Sequence, residues 1–403
     1  MQFDNTYARL PERFYARVSP AAAPAPRLLA WNVGLAEQLG LGELGRDSEG
    51  LAQTFSGNEL LPGAEPIALA YAGHQFGNFV PQLGDGRALL LGELLDADGR
   101  RLDIQLKGAG QTPFSRRGDG KAAIGPVIRE YLLSEAMYHL GVPTSRALAA
   151  VSTGERVLRE DRLPGAILTR VAASHIRVGT FEYFAARRDR EALQTLTDYA
   201  IARHYPQAAD ADDPVLAFFT AVVEAQARLI AHWMDIGFIH GVMNTDNCAV
   251  SGETIDYGPC AFMDAFDYHQ VFSSIDQFGR YAYGRQGQIA HWNLARLAEC
   301  LLLLGGEQAA FEQALEHFQA LFEEHYLQRM ARKLGLHTRA EDDDSLISAW
   351  LQHLQDHELD YTLSFRRLAA RVDAQDAPEF ADFEPRWRQR LATQDLSAAA
   401  VRE

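Results

Sequence analysis

Hydrophobic and polar positions along this chain change period twice. ALLLGELL (88–95) is an apolar run of strand length, and in RLDIQLKG (101–108) Leu102, Ile104 and Leu106 alternate with Asp103, Gln105 and Lys107. Strand side chains leave on alternate faces, so Lys107 is expected to point away from the apolar face. The DADG between these runs (96–99) predicts a hairpin turn, because Asp-Gly suits its backbone. Next, Ile128, Leu132 and Ala136, flanked by Leu133, Met137 and Leu140, recur at helical spacing. Pro126 opens this helix and Gly141 with Pro143 ends it. Glu130 sits near its start, off the centre of the apolar stripe.

Short strands are expected again over 146–153, 156–160 and 165–171, and from about residue 189 the period is helical. Asp213-Pro214 reads as a cap with proline in the first turn, opening a helix that stops at Gly237. Residues 290–304 end at Gly305-Gly306, and Phe311, Leu315, Phe318 and Phe322 mark a helix ending at Gly335. Near the N-terminus, residues 19–32 read as a Pro/Ala linker. Residues 27–55 read as helical, with Leu28, Leu29, Trp31, Leu35 and Leu39 as core. The expected organisation is an extension over 1–65 packing on the core, a β-rich lobe over 66–185 and a larger helical lobe over 186–403. That is an α+β fold in the two-lobed layout of a protein kinase.

Composition narrows the function. With 403 residues, 47% hydrophobic and 23% charged, the chain reads as an ordinary globular protein with a large core. No apolar run in the sequence approaches the roughly 20 residues of a membrane span, so no membrane partner is expected. The first 18 residues lack the apolar core of a secretory signal, and Asp4 and Glu12 oppose a mitochondrial presequence. A formal net charge of −16 works against binding nucleic acid. Cys248, Cys260 and Cys300 are too few and scattered for a disulfide framework or a zinc site, which suits a reducing cytoplasm. The basic loop RRGDGK (116–121) stands out in so acidic a chain.

The candidate chemistry centres on HGVMNTDNCAVSGETIDYG (240–258). A protein-kinase catalytic loop runs H-R-D-x-x-x-x-N before D-F-G. Here His240, Asn247 and Asp256-Tyr257-Gly258 match in place, but Val242 stands where the loop aspartate would be. Asn247 and Asp256 offer the hard oxygen ligands that Mg2+ prefers. CAV and TI, joined by an SGE turn, are expected to pair as a hairpin that brings them together. Lys107 and Glu130 suit the strand-lysine and helix-glutamate pair that holds nucleotide phosphates in kinases. Gly84-Asp85-Gly86-Arg87 is a candidate close-approach turn. Arg170 and Arg177 are candidate phosphate ligands, because guanidinium groups fork onto phosphate oxygens. A Walker A loop is absent, since Ser115 and Ala122 replace required residues. There is no H-E-x-x-H and no G-x-S-x-G; Glu323-Glu324-His325 reads as a solvated face and Cys248 as a buried strand thiol.

Three long motifs, YAGHQFGNFVPQLGDGRALLLGE (71–93), DIQLKGAGQTPFSRRGDGKAA (103–123) and HGVMNTDNCAVSGETIDYGPCAF (240–262), together resemble the selenoprotein O family, called YdiU in bacteria. The resemblance implies a protein-kinase-like fold, once classed with pseudokinases. It implies a protein adenylyltransferase that binds ATP in a reversed orientation and moves AMP to Ser, Thr or Tyr hydroxyls. Carried onto matching positions, it assigns Gly84, Gly86, Arg87, Lys107, Asp119, Gly120, Arg170 and Arg177 to nucleotide binding. Asn247 and Asp256 would hold Mg2+ or Mn2+, Asp256 would also face the nucleotide, Asp246 would be the catalytic base, and Glu130 would pair with Lys107. Protein substrates are the implied partners, and the oligomeric state is left open. Two alternatives stand beside this: a kinase of proteins or small molecules using Asp246 as base, and a non-catalytic nucleotide-sensing scaffold. Family members usually run on to a cysteine or selenocysteine near the C-terminus. This chain ends LSAAAVRE, so control by such a thiol is in doubt.

Overall fold

The structure is a computed structural model that describes residues 3–374 and 379–402. It is a mixed α/β protein with antiparallel sheets, and its chain falls into two compact units. The first comprises Met1–Val222, Asn244–Gly258 and Asn293–Phe311; the second comprises Val223–Met243, Pro259–Trp292 and Glu312–Glu403.

An eight-stranded sheet organises the first unit. Its strands are β1 (Tyr15–Arg17), β2 (Arg27–Trp31) and β3 (Ile67–Leu69), then, after a separate hairpin β4 (Gly73–Gln75) and β5 (Asn78–Val80), β6 (Ala88–Leu95), β7 (Arg101–Lys107), β8 (Ala122–Ala123), β9 (Arg146–Leu158) and β10 (Arg162–Ala172). The order is β1-β3-β6-β7-β10-β9-β2, with β8 on β10. The expected β6–β7 hairpin forms, with Ala88 opposite Lys107 and Asp96 accepting from the Asp98 and Arg100 N–H groups in its turn.

The helical reading of 27–55 is corrected at its start: Arg27–Trp31 is a strand on the edge of β9. Helix begins only after Asn32, whose side chain accepts from Leu35 N–H at 3.1 Å and caps α1 (Val33–Gln38). Leu35 and Leu39 are buried as expected, whereas Leu29 is 41% exposed. With α2 (Ser48–Ser56), α1 covers the apolar face of the sheet, where Leu89, Leu91, Ile104, Leu106 and Val151 meet Leu35 and Phe55.

The opposite face of β7 is polar yet buried. Asp103 binds Arg203 at 2.5 Å and His175 at 3.0 Å, and Gln105 donates to Asp85 at 3.2 Å. This explains the main correction to α3 (Ile124–His139). Its buried positions are Val127, Glu130, Ser134 and Met137, while the expected stripe members Leu132 and Leu140 are 62% and 49% exposed. The helix turns Glu130 toward Lys107 and Arg170 on the sheet and packs Val127, with Ile128 and Tyr131, against Ala147, Ala150 and Leu168 beside them.

Helices α4 (Val178–Ala186), α5 (Arg190–His204) and α6 (Pro214–Asp235) follow. Asp213 caps α6 by accepting from Val215 and Leu216 N–H at 3.1 and 3.0 Å. Contrary to the expectation above, α6 is long and apolar enough to cross a membrane by length and composition, although half of its most apolar stretch is buried inside the protein. Apolar core helices meet the same criterion.

The second unit holds the two-stranded pair β11 (Phe238–Ile239) and β12 (Ala261–Phe262), the part of α7 (Gln286–Leu301) up to Trp292, and α8 (Gln308–Lys333) from Glu312. Helices α9 (Asp343–Asp356), α10 (Tyr361–Ala370), α11 (Glu384–Leu391) and α12 (Ala398–Arg402) complete it. Trp350 and Trp387 sit in its core with Phe365, Phe380 and Phe383, and the buried Trp387 indole donates to Leu334 C=O at 2.8 Å.

Candidate active site

Within the first unit, a cavity of about 690 Å³ gathers every site residue expected from the sequence except Glu130. Glu130 lies behind its wall and reaches it through Lys107. Lys107 Nζ lies 2.7 Å from Glu130 and 2.6 Å from Asp256 Oδ1. Arg170 bridges the same two carboxylates, donating from Nε to Glu130 and from Nη2 to Asp256 Oδ1 at 2.6 Å. Strand β7 supplies the lysine, β10 the arginine and α3 the glutamate. The expected lysine–glutamate pair is thus present, but as half of a four-membered cluster.

The cluster sets its own protonation. Burial alone would raise the Glu130 and Asp256 carboxyls; Arg170 and Lys107 outweigh it, holding Glu130 below and Asp256 well below the usual carboxylate range. Asp256 has a left-handed backbone at φ 64°, a conformation costly for most residues but within reach of aspartate.

Eight arginine and lysine side chains line the cavity against four aspartates, in a protein of net charge −16. Some are spent within the fold: Arg159 pairs with Asp119 at 2.8 Å, and Lys121 with Glu155 at 2.8 Å. Arg87, Arg116 and Arg117 are exposed at its rim. Arg177 differs from all of these. It is buried, its guanidinium lies 4.2 Å over the Tyr71 ring, and it comes within 3.5 Å of Asp85. Its Nε and Nη1 nonetheless have no hydrogen-bond partner among the described residues. Buried donors are nearly always satisfied, so a buried guanidinium with two donors outside any hydrogen bond, on a residue that lines the cavity, suits an anionic ligand.

Asp119 lines the cavity, accepting from Lys121 N–H at 2.9 Å and pairing with Arg159. The glycines expected at the site owe their identity first to packing. A Cβ on Gly84 (φ 66°) would lie 2.3 Å from the Phe114 ring, and one on Gly120 (φ 68°) 2.1 Å from Gly110 backbone. These contacts fasten the 84–87 turn to the 109–121 loop. Ser115 adds a hydrogen bond to Gly86 C=O, and Thr112 one to Asp85 C=O at 2.7 Å.

Asp246 and Asn247 lie in a single 3₁₀ turn, Thr245–Asn247. The hairpin expected after it is corrected: a turn forms, with Gly252 N–H on Ala249 C=O at 3.2 Å, but its two arms do not pair with each other. Ala249 bridges Arg177, and Thr254 bridges Thr144. The turn is therefore fixed to Arg177 at the start of α4 and to Thr144 just before β9, and Asp256 follows it back to the cavity. Cys248 is buried as expected, outside any strand, and burial pushes its thiol up to about 12. Burial also pushes Asp246 up to about 7. Its Oδ1 is buried with no hydrogen-bond partner among the described residues. Asn247 and Asp256 both line the cavity and offer oxygen donors, which fit a hard divalent cation and not a soft one.

A family model described as protein adenylyltransferase SelO matches residues 1–396. The chain belongs to the SelO family. Similar relatives are the protein nucleotidyltransferases YdiU of Rhodopseudomonas palustris, 58% identical over 99% of this chain and 84% of the relative, and of Agrobacterium fabrum, 58% identical over 98% and 84%. The YdiU of Bradyrhizobium diazoefficiens is 56% identical over the same shares, 98% and 84%. The resemblance read from the three motifs is borne out, and this SelO-family chain is a protein nucleotidyltransferase.

Sequence reading missed several residues of this SelO-family site. Tyr71 carries Arg177 on its ring, Phe114 fills the space that Gly84 leaves, and Arg159 restrains Asp119. Tyr71 and Phe114 lie inside quoted motifs, yet an aromatic among glycines reads as core until its neighbours are known. Arg159 had no signal, because its partner is 40 residues upstream.

Proposed function

We propose that the first-unit cavity binds ATP with a divalent cation, Mg2+ or Mn2+, and passes its AMP to a Ser, Thr or Tyr hydroxyl of a protein substrate. The hydroxyl oxygen bonds to the α-phosphorus, the bond from that phosphorus to the bridging oxygen breaks, and pyrophosphate leaves. The observation that carries this reading is Arg177, a buried cation that lines a cavity rich in positive charge and whose Nε and Nη1 make no hydrogen bond among the described residues.

Asn247 and Asp256 would hold the cation, which neutralises developing charge on the phosphates. Asp246 takes the acceptor proton; a carboxyl near 7 is suited to giving and taking protons at neutral pH. Lys107 and Arg170, held by Glu130, place positive charge beside the metal ligands. Arg177, Arg87 and the basic loop Arg116–Lys121 supply the further cations that a reversed nucleotide needs for its β- and γ-phosphates. Gly84, Gly86, Asp119 and Gly120 shape the turn over which the nucleotide lies.

The strand lysine paired with a helix glutamate supports a kinase-like fold, with the extension at 1–65 and lobes at 66–185 and 186–403. The test is incubation with α-labelled and γ-labelled ATP in parallel. Label from the α position alone is expected, lost in Asp256→Ala. Label from the γ position would establish a kinase, and label from neither a nucleotide-sensing scaffold.

A further inference from the structure

The β4–β5 hairpin touches the 245–247 turn through groups that the roles above leave unused. His74 N–H donates to Thr245 Oγ1 at 2.7 Å, Phe76 N–H to Asn244 Oδ1 at 3.1 Å, and Gln75 Nε2 approaches Asp246 Oδ2 at 3.4 Å. Behind them lies Glu182 of α4, only 4% exposed. One of its oxygens accepts from the Thr245 hydroxyl and the other pairs with His74 Nδ1.

The hydrogen count fixes directions. Thr245 has one hydroxyl proton, given to Glu182, and accepts the His74 N–H with its lone pair. Both Glu182 oxygens are occupied, and the residue does not line the cavity, so it is placed to act on the turn and not on a substrate. Two glycines close the remaining space. A Cβ on Gly73 would stand 2.4 Å from Asp246 Oδ1, and one on Gly179 2.2 Å from Ala72 C=O and 3.3 Å from Asp246 Cα. Asp246 is thus confined on two sides while its turn is tethered from below.

We propose that Glu182, acting through Thr245 and His74, is a positioning residue that sets the orientation of the Asp246 carboxylate. The proposal rests on the reading of Asp246 as the base. Misplacing a reacting group by about 1 Å costs on the order of 100-fold in rate. A slack turn should therefore lower kcat and leave metal-free nucleotide binding nearly unchanged, because Arg87, Lys107 and Arg170 stand on the 84–87 turn, β7 and β10.

The test compares Thr245→Val, which keeps the shape and loses the hydroxyl, with Thr245→Ser, which restores it, alongside Glu182→Gln and Gly73→Ala. AMP transfer from α-labelled ATP is measured with the full chain, and activity is divided by the number of ATP sites counted by calorimetric titration. Thr245→Val, Glu182→Gln and Gly73→Ala should lower kcat per site about 100-fold with the ATP Kd, titrated without divalent metal, within twofold, and Thr245→Ser should stay within a few-fold of wild type. If Thr245→Val keeps its kcat per site, or loses activity only in step with lost ATP sites, the positioning role is overturned. Wild-type protein that transfers no AMP would instead overturn the reading of the reaction, so the two failures are distinguishable. Should Glu182→Gln fold poorly, the Thr245 pair decides alone.

Discussion

Replacing Glu130 by glutamine removes one negative charge from a buried cluster of two cations and two carboxylates. Glu130 is 2% exposed and anchors both Lys107 and Arg170, the latter 4% exposed. Each charge-assisted hydrogen bond contributes about 1.5–3 kcal/mol, and breaking a buried pair from one side costs about 3–5 kcal/mol. Arg170 and Lys107 keep Asp256, so the lower figure applies: about 3 kcal/mol, or roughly 100-fold in the folding equilibrium. The pH dependence gives the argument its sign. Glu130 titrates below its usual 4.5 in the folded protein, so its contribution is complete above 4.5 and fades as pH falls through the lowered value. Urea unfolding followed by circular dichroism between pH 3.5 and 7.5 should show Glu130→Gln less stable at neutral pH, with the gap narrowing in acid. A gap under about 1 kcal/mol at pH 7, or one independent of pH, would refute the reasoning.

Three further outcomes follow from the same geometry. Asp246→Asn should lower kcat about 100- to 10,000-fold with an unchanged ATP Kd, measured by α-label transfer and calorimetry. Arg177→Met should weaken ATP about 10- to 100-fold in the same titration, because it removes a cavity-lining cation whose Nε and Nη1 make no hydrogen bond among the described residues. Gly84→Ala should destabilise the first unit by about 1–3 kcal/mol and speed proteolysis of the 109–121 loop, since the new methyl meets the Phe114 ring on a left-handed backbone.

What could be read from the sequence was what local spacing encodes. The β6–β7 hairpin has Asp-Gly in its turn and strict alternation behind it. The Asn247–Asp256 and Lys107–Glu130 spacings are carried by single elements or adjacent ones. Errors arose where two elements shared one period. Leu28, Leu29 and Trp31 fit a helical repeat with Leu35 and Leu39, yet Asn32 divides strand from helix between them. On α3, apolar periodicity favoured Leu132, whereas the buried face combines Glu130, paired with Lys107 and Arg170 on the sheet, and Val127 in a small apolar cluster. The His74–Glu182–Thr245 network was illegible for a different reason. Its members are 108 and 63 residues apart, and each alone is an ordinary polar residue.

Asp256 Oδ1 is held by Lys107 and Arg170 together. A divalent ion arriving alone would have to compete with two fixed cations for that carboxylate. Phosphates arriving first would offer those cations another anion and loosen their hold. Nucleotide and metal affinities are then thermodynamically linked, and whatever factor one gains from the other must be returned in full.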